Sequence, residues 1–289
     1  MKTNKTTKKI HPKQQQNRQP GLEIDMDPKP IFDNGNYQGS GKLNNKVAVI
    51  TGGDSGIGRA VSLYFAKEGA NIAIIYYDEH QDAEETKKKI EKEGASCLLI
   101  SGDIADSTFC KNAVEQVIKK FKSIDVLVNN AAVQYPQKDI TLISDEQLER
   151  TFRVNIFSYF YMIKMCLPYM KEGSTIINSS SITAYKGNAN LIDYSSTKGA
   201  ITTLTRSLSQ SLLSKQIRVN SVVPGPVWTP LIPSSFDETT VSEFGSDNPM
   251  HRPAQPYELA PAYVFLASND SSYVTGQTLH VNGGVIVNS

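Results

Sequence analysis

Cysteine is scarce. Cys97, Cys110 and Cys166 are widely separated and form no C-x-x-C pair. That excludes a disulfide framework or a zinc site and points to a reducing compartment. The four histidines, His11, His80, His251 and His280, share no metal-ligand spacing, so no metal is expected. Charge of one sign is also missing. Thirty Lys and Arg against 29 Asp and Glu leave a net charge of +1, which gives the whole chain no electrostatic case for binding nucleic acid or acidic membrane. No apolar run approaches the roughly 20 residues of a membrane span, and the N-terminus lacks the apolar core of a secretory leader. A cytoplasmic location is the simplest expectation. What remains is 289 residues, 39% hydrophobic and 20% charged, the composition of a globular chain with a sizeable core.

Residues 1–43 differ from the rest. The first twenty carry Lys2, Lys5, Lys8, Lys9, Lys13 and Arg18, no acid, and Gln14-Gln15-Gln16. So little apolar surface predicts a partly disordered, solvated extension. From Pro20 to Tyr37 the arm gains Leu22, Ile24, Met26, Ile31 and Phe32, enough to lie along the domain or a neighbouring subunit. It is expected to take no part in the chemistry.

The rest, 44–289, is organised around Lys46-Val-Ala-Val-Ile-Thr51-Gly-Gly-Asp-Ser-Gly56-Ile-Gly58-Arg. An apolar run stops at glycines and a helical pattern follows, with Ile57, Ala60, Val61, Tyr64 and Phe65 on one face. Strand, glycine turn and helix make half of a βαβ unit. Gly52 permits the tight turn, Gly56 and Gly58 remove side chains that would block a pyrophosphate, and the bare amides of the helix N-terminus face the anion. The alternative is a glycine-rich turn that binds nothing. Further apolar runs at 71–77, 97–101, 124–128, 175–178, 218–223 and 277–281 alternate with helical patterns. This predicts an α/β fold, a Rossmann-like doubly wound parallel sheet with helices on both faces. Ligands bind such sheets beyond the carboxyl ends of the strands.

Two helices carry the remaining chemistry. Ser144-Asp-Glu-Gln147 is a capping box that starts the first, whose inward stripe reads Leu148, Phe152, Asn155, Tyr159 and Met162. Asn155 is then a polar residue on an apolar face that needs partners. Asp193 can cap the second, on which Tyr194 and Lys198 stand at i, i+4. A tyrosine titrates near ~10 and is a poor base at neutral pH, and a nearby cation should lower that value. Ser179-Ser180-Ser181 closes the preceding strand. A Tyr and a Lys on an ordinary amphipathic helix, or an Asn tying down backbone, are the plain readings.

Together these residues resemble the short-chain dehydrogenase/reductase family. Thr51-Gly52 with Gly56-Ile57-Gly58 is similar to its cofactor turn, and Asn155, Ser181 and Tyr194-x-x-x-Lys198 match its catalytic tetrad. Gly102-Asp103-Ile104 resembles its adenine site, and Asn129-Asn130-Ala131-Ala132 its N-N-A-G motif, with Ala132 for the usual glycine. Pro224-Gly225-Pro226-Val227-Trp228-Thr229 is similar to its P-G motif beside the nicotinamide. The resemblance spans about 44–284. It implies cofactor contacts at Gly52, Asp54, Ser55, Gly56, Ile57, Gly58, Tyr77, Asp103, Ile104, Asn130, Ala131, Tyr194, Lys198, Pro224, Gly225, Val227 and Thr229. It also implies a homotetramer contacting through the helices of Asn155 and Tyr194 and the C-terminal strand, with Val285-Ile-Val287 buried at a contact.

The expected function is hydride transfer between NAD(P) and an alcohol/carbonyl substrate. Tyr194 would be the general acid/base, Ser181 would bind the carbonyl oxygen, Lys198 would tune Tyr194 and hold the ribose, and Asn155 would help hold a proton-relay water. Residues 230–253 would form the substrate loop. A cofactor-binding sensor without turnover is the rival, and a nucleic-acid protein using the basic arm is a weaker one. No nucleic acid and no membrane are expected as partners. The second strand ends Tyr76-Tyr77-Asp78-Glu79, with acids and no base, which leans the cofactor to NAD. Arg59, one residue past Gly58, argues the other way.

Overall fold

The computed structural model describes residues 8–287. Seven strands form one parallel sheet: β1 Val47–Thr51, β2 Asn71–Tyr76, β3 Cys97–Ser101, β4 Val126–Asn129, β5 Thr175–Ser179, β6 Arg218–Pro224 and β7 Thr278–Val281. Their order is β3-β2-β1-β4-β5-β6-β7, so the winding reverses between β1 and β4. The helices are α1 Gly56–Lys67, α2 His80–Lys92, α3 Ser107–Phe121, α4 Asp145–Phe152, α5 Ser158–Cys166, α6 Thr183–Lys186, α7 Ile192–Ser211, α8 Glu238–Glu243 and α9 Pro256–Ala267. The doubly wound α/β fold expected from the alternation of elements is the one present.

The inner strands β1, β2, β4, β5 and β6 are buried on both faces, which is why they read as largely apolar runs, while the edge strands β3 and β7 are only partly covered. Val47 and Val49 enter one core with residues of α3, α5 and α7, while Ala48 and Ile50 enter the other with residues of α1 and α9. That alternation is the two-residue period of a strand.

Two helical expectations need correction. Ser144 does cap α4, accepting from Gln147 N–H at 3.2 Å. Leu148 is nevertheless exposed, because α4 buries only Thr151. The chain reaches the core through a π-turn over Arg153–Phe157, from which Asn155, Tyr159 and Met162 face inward. Such wide turns tend to occur at functional sites. Asp193 lies one residue inside α7 and does not cap it. Its carboxylate receives the Tyr194 N–H on one oxygen, and the Thr151 hydroxyl and Gln147 amide on the other, tying α4 to α7.

Lys2 and Lys5 of the expected disordered start lie outside the described residues. From residue 8 onward the arm is docked, which corrects the disorder expected for 8–19. Ile10 N–H donates to Ser242 O at 2.8 Å and Gln16 N–H to Pro233 O at 2.7 Å, while 20–37 lies along the domain as its apolar residues allowed. Met26 is buried, Tyr37 stacks on Tyr64 with centroids 4.2 Å apart, and Ile31 donates its N–H to the Gln255 side-chain oxygen and accepts from Tyr257 N–H. His11 stacks on Trp228 at 3.8 Å, and the Trp228 indole donates to Pro28 O at 2.8 Å.

Candidate active site

At the carboxyl ends of the strands lies a cleft of about 920 Å³. Of the expected cofactor residues, Gly52, Asp54, Ser55, Gly56, Ile57, Tyr77, Asp103, Ile104, Asn130, Ala131, Tyr194, Lys198, Pro224, Gly225, Val227 and Thr229 line it, as does Ser181. Gly58 and Asn155 do not; both stand behind it.

Gly58 has a different reason from the one its motif suggested. A Cβ there would come within 1.8 Å of the Gly52 carbonyl oxygen, so the missing side chain lets α1 close on β1. Gly52 itself needs glycine, with φ 63° and its vacant Cβ position against Ala131. The turn is braced from β4. Asn130 donates through its side chain to the carbonyls of Thr51 and Gly52, both at 3.2 Å, and its N–H donates to the Thr51 hydroxyl.

The amides of the α1 N-terminus are not all bare. Gly56 N–H donates to Glu23 of the arm at 2.6 Å. The other oxygen of Glu23 pairs with Arg59 at 2.7 Å, and Arg59 also meets Asp82 at 3.3 Å and the Asp54 carbonyl at 2.9 Å. Arg59 is 3% exposed, so it is locked away from the cleft. Burial raises Glu23 to about 7, against the pull of Arg59. Burial likewise raises the carboxyls of Asp54 and Glu79.

The arm also reaches the cleft, contrary to its expected exclusion. Pro20 and Gly21 line it. The Gln19 side chain donates to the Gln134 carbonyl and accepts from Gln134 N–H at 3.1 Å, beyond β4. It also approaches Ser234 O and Ser235 Oγ, each at 3.4 Å, in the substrate loop. Arg18 pairs with Asp78 just past the end of β2. The second acid there, Glu79, turns back to accept from Tyr77 and Asp78 N–H. The two carboxylates and no base that favoured NAD are therefore not what the folded chain presents. Arg150 is a further residue missed in the sequence. It pairs with Asp103 at 2.6 Å and lies over the Tyr77 ring, 5.9 Å from its centroid.

Ser181, Tyr194 and Lys198 converge on the cleft, with Asn155 behind them. Tyr194 and Lys198 project from one face of α7, and Ser181 follows β5. Lys198 is 2% exposed and donates to Ser179 O at 2.9 Å, with its nitrogen 5.4 Å from the Tyr194 ring centroid. The expected lowering of the phenol's pKa is absent here. Burial raises Tyr194 to about 12, with only the Ser181 hydroxyl pulling the other way, and burial lowers Lys198 to about 7. A cation held over the ring and itself disfavoured by burial cannot tune the phenol strongly. The Asn155 side chain accepts from Val133 N–H and donates to Val133 O, both at 2.8 Å. Its amide nitrogen is fully used, donating also to Thr197 Oγ1 at 3.3 Å, while its oxygen accepts a single bond.

The residues present fit a nicotinamide dinucleotide. The glycine turn opens on the cleft, and the Lys198 ammonium has three donors but one partner, leaving capacity for a ribose diol. At the other end of the cleft, Leu231, Ile232, Phe236 and Phe244 of the substrate loop offer an apolar wall.

Comparison with known proteins agrees with this geometry. A family model described as Enoyl-(Acyl carrier protein) reductase matches residues 52–286. Uncharacterized oxidoreductase YhxC of Bacillus subtilis is 63% identical, over 97% of this chain and 98% of its own. The chain belongs to the short-chain dehydrogenase/reductase family. The NADPH-dependent aldehyde reductase 1 of Arabidopsis thaliana is 52% identical over 96% of this chain and 99% of its own. The crystal structure of a 3-ketoacyl-(acyl-carrier-protein) reductase from Brucella melitensis complexed with NADH superposes with a TM-score of 0.77. That chain is 32% identical, and the match covers 84% of this chain and 98% of that one. As a member of this family, the protein is an NAD(P)-dependent oxidoreductase acting on small molecules. The sensor without turnover finds no support among these relatives. No helix among the described residues is long and apolar enough to cross a membrane.

Proposed function

We propose that the protein reduces an aldehyde or ketone, or oxidises the matching alcohol, at the floor of the cleft. The observation that carries this reading is the convergence of Ser181, Tyr194 and Lys198 on one wall, beside the glycine turn. Bound NAD(P)H would supply the hydride. Tyr194, protonated at neutral pH, donates its phenolic proton to the carbonyl oxygen as that oxygen gains charge. Ser181 donates a hydrogen bond to the same oxygen and stabilises the developing negative charge. Lys198 holds the ribose and, once that partner is present, has reason to stay charged beside Tyr194. Asn155 braces Val133, which lines the cleft, so its side chain acts on geometry, and its amide oxygen keeps one acceptor position for a relay water. Gly52, Gly56, Ile57, Asp103 and Thr229 hold the dinucleotide along the strand ends.

The aldehyde named for the Arabidopsis relative and the apolar substrate loop favour a small aldehyde over a charged substrate. We take residues 44–289 as the dehydrogenase unit and 1–43 as an extension, whose described residues from 8 onward dock on it. A homotetramer is supported by Phe157 and Phe160, exposed on α5 and its approach, and by β7 at the sheet edge. Free, buried Cys97, Cys110 and Cys166 suit the cytoplasm. Following absorbance of the reduced cofactor against a panel of aldehydes, ketones and alcohols tests the reading. Turnover of at least one aldehyde is expected, and none with any carbonyl or alcohol would refute it.

A further inference from the structure

Arg18 belongs to the arm, yet its guanidinium pairs with Asp78, two residues beyond β2. In dinucleotide folds the end of the second strand is where the adenosine ribose is read, an acid taking a 2′-hydroxyl and an arginine a 2′-phosphate. Here both chemistries are at that place, one from the strand and one from a segment 60 residues earlier. Arg18 does not hang from a loose tail. Its Nε donates to Pro20 O at 2.7 Å, and the next residue, Gln19, is clamped to Gln134. Gln16 accepts from Leu22 N–H at 2.7 Å, closing the loop that presents Arg18.

The two other arginines near the dinucleotide are committed elsewhere. Arg59 is buried against Glu23 and Asp82. Arg150 is held by Asp103 at the end of β3 and lies over Tyr77. The Arg18–Asp78 pair, by contrast, has side chains 36% and 49% exposed. A pair so open to water holds its partners weakly, and a phosphate dianion competes well for the guanidinium.

We propose that Arg18, carried by the N-terminal arm, is the residue that admits NADP: it leaves Asp78 to meet a 2′-phosphate, while Asp78 serves the 2′-hydroxyl of NAD. The inference rests on the cleft being a nicotinamide dinucleotide site. It makes the extension part of cofactor choice and explains how a strand end with no base of its own can take either cofactor.

Calorimetric titration of the full-length protein with NAD and with NADP, at one ionic strength, tests it without turnover. In Arg18→Gln the dissociation constant for NADP should rise relative to that for NAD by roughly 10- to 100-fold, the worth of a charge-assisted bond. Arg18→Lys, which keeps the charge without the planar fork, should recover part of that ratio. Asp78→Asn should move the ratio toward NADP. An unchanged ratio in Arg18→Gln, or the selective loss appearing in Arg150→Gln instead, would overturn the assignment. Binding of neither cofactor to the parent protein would sink the dinucleotide reading itself, a distinct outcome.

Discussion

Replacing Asn155 by alanine removes the side chain that pairs both backbone groups of Val133. The Val133 N–H and C=O each lose a 2.8 Å partner. Val133 is 3% exposed and Asn155 fully buried, so the groups left behind are shielded from solvent. Each orphaned group costs about 1–3 kcal/mol, so the variant should lose roughly 2–6 kcal/mol of a total that is typically ~5–15 kcal/mol. Urea denaturation followed by far-ultraviolet circular dichroism reads this as a lower midpoint with an unchanged slope. Asn155→Asp adds a sign. It keeps the acceptor for Val133 N–H but sets a carboxylate against Val133 O unless it carries a proton. Its folded-state pKa should therefore lie above the unfolded value, and the variant should lose stability as pH rises through that folded value. A loss below about 1 kcal/mol in Asn155→Ala, or an Asn155→Asp profile flat in pH, would mean that Asn155 does not brace the loop after β4.

Glu23 makes a second pH prediction. Burial raises its carboxyl from 4.5 to about 7, so its stabilising contribution is complete below 4.5 and is lost as pH climbs through 7. Between those values the parent should lose on the order of 3 kcal/mol that Glu23→Gln does not. Melting temperatures of the two measured across that window should diverge, and parallel curves would contradict it. Gly58→Ala drives a methyl to 1.8 Å from a carbonyl oxygen that cannot yield without opening the β1–α1 turn. Cofactor affinity should fall at least tenfold, with a lower melting temperature, and near-parental binding of NAD and NADP would show that the turn has slack.

Whatever depended on neighbours in the chain was legible in the sequence. The strands reveal themselves because parallel strands buried on both faces are mostly apolar, and Tyr194 and Lys198 share a face because four residues make about one helical turn. What depends on folding was not legible. Nothing near Arg18 or Gln19 signals that they meet Asp78 and Gln134, 60 and 115 residues away. The pKa shift of Tyr194 was misread for the same reason. Spacing brings a cation to a phenol, but burial, a property of the whole fold, acts more strongly on both. The exposed Leu148 precedes the π-turn that spans Asn155, a break in helical period that periodicity alone cannot show.

Tyr194→Phe bears most directly on the mechanism. The substitution keeps the buried ring and deletes the one proton the reaction needs, so the protein should fold and bind NAD or NADP nearly as the parent does. With an aldehyde that the parent reduces, kcat should fall by several orders of magnitude, because the phenol acts chiefly in the transition state. Turnover close to that of the parent, with cofactor binding intact, would remove Tyr194 from the chemistry and leave the site without its acid.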